Sequence, residues 1–180
     1  MKMFQPPLHS NVHSVRVPLL HEPLHEVIAL AAPDTNPQSH VHELSKKKDM
    51  PCASKEANLV LLKAKPHDAK IVADFVHSNR LKCASLRHVL SLAHFKPRLH
   101  EELAHGVPLI AVLATQHVVL KRRVRIPLVW WGQSPGTKKA PKGDPERIAS
   151  LFWVKYRYED DDPWKVDDQW DHYYWRAYLA

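Results

Sequence analysis

The sequence predicts a mainly α fold with a small β element. Three observations carry that expectation. Apolar side chains between residues 54 and 106 recur with a helical period. Two later segments, 123–131 and 151–158, alternate as strands do. All six tryptophans and all five tyrosines lie beyond Ile126, which leaves the first 125 residues to Leu, Val, Ala, His and Pro.

In chain order, residues 1–20 read as an extended arm. Pro6, Pro7 and Pro18 block helix, and nothing there repeats with a helical period. Pro23 suits the first helical position and opens a short helix to Ala32, on which Leu24, Val27, Ile28 and Ala31 share one face. Residues 33–51 form a polar linker with Lys46, Lys47 and Lys48 near the middle. Ser54 has the chemistry of an N-cap for a helix over 54–65, ended by Pro66. Asp68 caps the next, over 69–79, whose apolar stripe is Ile71, Val72, Phe75 and Val76. A third helix covers 84–95, with Leu86, Val89, Leu90 and Ala93 inward and Pro97 as its stop. A fourth, over 98–105, closes at Gly106. Residues 54–106 therefore read as a short helical core.

The apolar run 107–120 fits a buried helix or a buried strand equally well. From 123 to 131, Val124, Ile126, Leu128 and Trp130 fall on one side, with Arg123, Arg125, Val129 and Trp131 on the other. Pro127 places that strand at a sheet edge, because proline cannot donate to a ladder. From 151 to 158, Phe152, Val154, Tyr156 and Tyr158 oppose Leu151, Trp153, Lys155 and Arg157. A two-stranded hairpin of 120–131 with 151–158 follows. Four segments result: an extended Pro/His-rich arm and linker (1–53), a helical core (54–120), a basic loop with flanking strands (121–158) and an acidic aromatic tail (159–180).

A chain of 180 residues that is 44% hydrophobic supports one domain plus extensions. A formal net charge of +7 favours an acidic partner such as RNA or anionic lipid. The charge is segregated. Residues 121–147 hold eight basic side chains against Asp144 and Glu146, whereas 159–171 hold seven acidic ones against Lys165. None of the four glycines precedes Gly106, so the first 105 residues lack the material for phosphate-cradling or dinucleotide turns. Cys52 and Cys83 show no CxxC spacing, and two reduced thiols are a simpler reading than a disulfide. No transmembrane helix is expected, since the run 107–120 is shorter than the roughly 20 residues a span needs and contains Pro108, Gln116 and His117. With its early prolines the N-terminus does not read as a secretory signal. Arg16 as the sole arginine before Arg80, together with Glu22 and Glu26, makes it a poor match to a mitochondrial transit peptide.

No GxSxG, HExxH or P-loop occurs, and no nucleophile, base and orienting group come together, so neither enzyme chemistry nor a cofactor is expected. Thirteen of fourteen histidines precede Val118, but no set of four metal ligands emerges: His40 and His42 would share a strand face, and His100 and His105 are out of phase on a helix. Two constellations remain. Arg122, Arg123 and Arg125, with Lys138, Lys139 and Lys142, fit RNA phosphates or an anionic lipid surface, against the plainer reading of a solvated loop. Trp164, Trp170, Trp175, Tyr173 and Tyr174, with Trp130 and Trp131, fit anchors for partner proteins, against the plainer reading of a tail folded over its own core. The function expected is a non-catalytic accessory subunit of a large membrane-associated complex. The expected setting is a mitochondrial respiratory-chain or ATP-synthase assembly, peripheral to the inner membrane or in the matrix, with other subunits as partners. The alternative is an organellar ribosomal protein whose basic loop touches rRNA.

Overall fold

Strands buried on both faces read as unbroken apolar runs, and a sheet built from them hides behind a helical reading of the sequence. The computed structural model describes residues 11–44, 54–63, 69–103, 109–132, 146–153 and 174–180. In chain order these form β1 (Asn11–Pro18), α1 (Leu24–Ala31), α2 (Val41–Leu44), β2 (Glu56–Lys63), α3 (Ala69–Ser78), β3 (Lys82–Cys83), α4 (Leu86–Phe95), α5 (Leu99–Leu103), β4 (Leu109–Ala114), β5 (Val118–Leu120), β6 (Arg123–Gly132), β7 (Glu146–Trp153) and β8 (Tyr174–Leu179). All eight strands belong to one mixed sheet. The expected mainly α fold is therefore corrected to a predominantly β one.

The largest correction falls on the helix expected over 54–65, of which residues 56–63 form β2. Its run Leu59-Val60-Leu61-Leu62 places Leu59 and Leu61 in the core on one face and Val60 and Leu62 in a second cluster on the other. Residues 54–106 consequently form no helical bundle; α3, α4 and α5 within that span pack on the sheet. Within the run 107–120, residues 109–114 and 118–120 form β4 and β5, both antiparallel to β6. The N-terminal arm is in part β1, paired with β2 from Asn11↔Lys63 to Pro18↔Glu56. The linker contains α2. The helix opened by Pro23 forms as expected, with Leu24, Val27, Ile28 and Ala31 buried.

Across the sheet the order is β1-β2-β8-β4-β6, with β7 on the far side of β6. β8 pairs antiparallel with β2 and parallel with β4. Past the end of β4, β3 continues along β8 and β5 continues along β6. The hairpin of β6 with β7 is present, but its register runs from Arg125↔Trp153 to Gly132↔Glu146, earlier in the chain than 151–158. Residues 154–158 lie outside the described ones. Pro127 does not mark an edge, because β6 is flanked on both sides. It falls where the β4 ladder has ended, at Leu128, and the β5 ladder has yet to begin, at Arg125, so a missing donor breaks no rung on that side.

One face of the sheet carries Leu59, Leu61, Ile110, Val112, Val129, Trp131, Trp175 and Ala177, packed with buried residues of α1, α2, α4 and α5. On the other face, α3 lays Val72 and Phe75 on Val60, Leu62 and Tyr178. Ala111, Leu113, Ile126 and Leu128 form a further patch there, margined by Trp130 and Tyr174. Buried polar groups act as clips. The Arg87 guanidinium donates to the carbonyls of Leu20 and Glu22 at 2.8 Å each, and Ser91 accepts from the Leu20 amide at 3.0 Å, so α4 holds the turn between β1 and α1. The outer edge of β7 is closed by two residues after α1. Asp34 accepts from the Arg147 amide at 2.8 Å and Thr35 from the Ala149 amide at 2.9 Å, a cover that blunts an otherwise open edge.

Thr115 joins three strands through one hydroxyl. It donates to the Ala177 carbonyl at 2.6 Å and accepts from the Ala84 amide at 2.8 Å, tying the end of β4 to β8 and to the residue after β3. Thr115→Val keeps the shape but leaves both backbone groups buried and unbonded. It should destabilise the protein by roughly 2 kcal/mol, seen as a lower denaturant midpoint with an unchanged slope.

Candidate polyanion-binding surface

One end of the sheet gathers the C-terminal ends of β4 and β8, the short β3, and the turn between β5 and β6. That turn is a two-residue loop, Lys121-Arg122, closed by Leu120↔Arg123. Its residues have φ of 51° and 60°. A two-residue hairpin matches the strand twist only with such left-handed pairs, which is why Asn-Gly is usual there. Arg80 has φ 53° and stands just past α3. The Leu81 amide bonds the Val76 carbonyl at 2.9 Å and the Arg80 amide bonds the His77 carbonyl at 3.0 Å, a Schellman closure whose left-handed position normally belongs to glycine. Among the described residues, Arg80, Lys121 and Arg122 are the non-glycine residues with positive φ. All three are basic, all three are exposed, and all three lie at this end, as do exposed Lys82 and Arg123. A left-handed L-residue costs about 1–2 kcal/mol, and such outliers cluster at functional sites.

Glu43 of α2 reaches this turn. One of its oxygens, Oε1, accepts from Lys121 Nζ at 2.9 Å and lies 2.9 Å from His40 Nδ1. Hydrogen bonds from Lys121 first, and then His40, hold its carboxyl down from 4.5 to about 2. Glu56, at the start of β2, pairs with Arg16.

The basic residues singled out in the sequence do not form one group. Arg122 and Arg123 are exposed at the turn, whereas Arg125 is 2% exposed and part of the interior. Lys138, Lys139 and Lys142 lie outside the described residues. The residues flanking their segment, Gly132 and Glu146, pair with each other at the opposite end of the sheet from Arg122. Of the aromatic candidates, Trp131 is fully buried and donates Nε1 to the Lys96 carbonyl at 3.2 Å, and Trp175 is 3% exposed in the same core. Trp130 and Tyr174 are half-buried on the other face with ring centroids 5.7 Å apart. Burial pushes the Tyr174 hydroxyl up to about 12. Trp164, Trp170 and Tyr173 lie outside the described residues. Cys83 is a free, exposed thiol.

Arg80, Lys82 and Glu43 were missed in the sequence. For Arg80 a signal existed: the α3 stripe stops with no glycine at its end. For Glu43 none did, because it meets Lys121 from 78 positions away. Among the described residues no group of three or more His, Cys, Asp or Glu gathers to hold a metal, and no helix is long and apolar enough to cross a membrane. Compared with protein families, curated proteins and solved structures, the chain matches none.

Two outcomes follow from this geometry. Arg122→Gly, which relieves one left-handed position and keeps the Lys121–Glu43 pair, should stabilise the protein by roughly 1 kcal/mol in chemical denaturation. The contribution of Glu43, whose carboxyl is held at about 2 rather than 4.5, is complete above the higher value and lost as pH falls toward the lower. Wild type and Glu43→Gln should therefore differ in thermal midpoint at neutral pH and converge as the solution approaches the lower value.

Proposed function

We propose that this chain is a non-catalytic component of a ribonucleoprotein assembly that docks on RNA phosphates through the end of its sheet. The observation that carries this reading is the placement of Arg80, Lys121 and Arg122 in left-handed backbone at one end, beside exposed Lys82 and Arg123. Positions where glycine or asparagine would relax the backbone hold cations instead. The net charge of +7 supports the same partner. Contacts of this kind position a protein on RNA without reading its sequence.

Two features behind the accessory-subunit expectation are used inside the chain's own sheet. Part of the N-terminal arm is β1, and Trp175 packs in the core as part of β8. That reading keeps less support than the RNA one.

The test is fluorescence anisotropy with a single-stranded and a double-stranded RNA oligonucleotide between about 50 and 200 mM salt. Binding should weaken steadily with salt and depend little on sequence. Lys82→Gln, Arg122→Gln and Arg123→Gln together remove three phosphate contacts. The log–log salt slope on single strands should then flatten by about 2. An unchanged affinity and slope would sink the proposal.

A further inference from the structure

We propose that Glu43 is a positioning residue for this surface: its clasp on Lys121 holds the β5–β6 turn so that Arg122 and Arg123 are presented to a phosphate backbone. The inference rests on the RNA reading and adds to it the acid that makes the basic turn usable. Glu43 is well placed for the role. It belongs to a four-residue helix whose other side is fixed in the core by Val41 and Leu44. The clasp therefore ties a left-handed turn to the body of the protein. Both Lys121 Nζ and His40 Nδ1 sit at 2.9 Å from the same carboxylate oxygen. Lys121, Arg122 and Arg123 are all exposed in this turn, and the clasp engages the first of them.

Position and charge make opposite demands here. A carboxylate within a basic surface repels phosphate, so Coulomb's law alone says that neutralising Glu43 tightens RNA binding. A clasp says the reverse. Without it the Lys121-Arg122 pair samples other backbone states, Lys121 swings free, and ordering the turn on RNA costs more.

The experiment measures RNA anisotropy on the full chain with three variants. Glu43→Gln should weaken binding about three- to fivefold, the range open to an exposed ion pair, although it removes a negative charge from the surface. The swapped pair, Glu43→Lys with Lys121→Glu, restores the clasp at unchanged net charge and should return affinity to within about twofold of wild type. NMR of the amides at positions 121 and 122 should show the left-handed couplings lost in Glu43→Gln and regained in the swap. If Glu43→Gln tightens binding or leaves it unchanged while Arg122→Gln with Arg123→Gln weakens it, the positioning role is wrong and the RNA reading stands. If the arginine variant also binds as wild type does, the RNA reading fails and takes this inference with it.

Discussion

β8 is the joint on which the sheet depends. It pairs with β2 through Leu59–Leu62 on one side and with β4 through Ala111–Ala114 on the other. Without it, β1–β2 and β4–β6–β7 are two separate ribbons, each with apolar faces open to water. Its side chains enter every core cluster: Trp175 and Ala177 in the largest, Tyr178 beneath α3, and Tyr174 at the margin of the third. The pairing Leu59↔Leu179 also closes a very long loop, and that entropy must be lost before the contact rewards it. Both halves of the sheet are synthesised before the strand that joins them, so this chain folds late and slowly relative to a helical protein of its size.

What could be read from the sequence follows from how many faces an element buries. α1 and α3 each bury one stripe, so the 3.6-residue period shows, and Leu24, Val27, Ile28 and Ala31 are where that period places them. β2 buries both faces, so its alternation vanishes, and a leucine-rich run after Ser54 imitates a capped helix. β6 alternates visibly, and β7 overlaps the expected strand only at residues 151–153; Pro127 misleads, because the gap between the β4 and β5 ladders cannot be seen until the strands are aligned. The Tyr174–Leu179 segment looked like a tail because its aromatics are read as surface until a sheet closes around them.

The candidate surface divides in the same way. The positive charge of Arg122 and Arg123 is plain in the sequence; their conformation is not. Arg125, on the same strand face as Arg123 but two residues further from the turn, lies in the interior, so adjacency in sequence was a poor guide to shared function. Lys82 joins the group because β3 pairs beside β8, and Glu43 joins it through a helix laid across the sheet from the other side of the fold. These are long-range consequences of β-pairing, which local pattern does not contain.

The left-handed turn has a genetic consequence. Lysine codons are one nucleotide from asparagine, and arginine codons are one nucleotide from glycine. The chain thus sits a single base from a more relaxed backbone at Lys121 and again at Arg122, and one base from it at Arg80. Each of these single-base steps exchanges a cation for backbone relief, so charge and conformational ease at this end of the sheet trade against each other one nucleotide at a time.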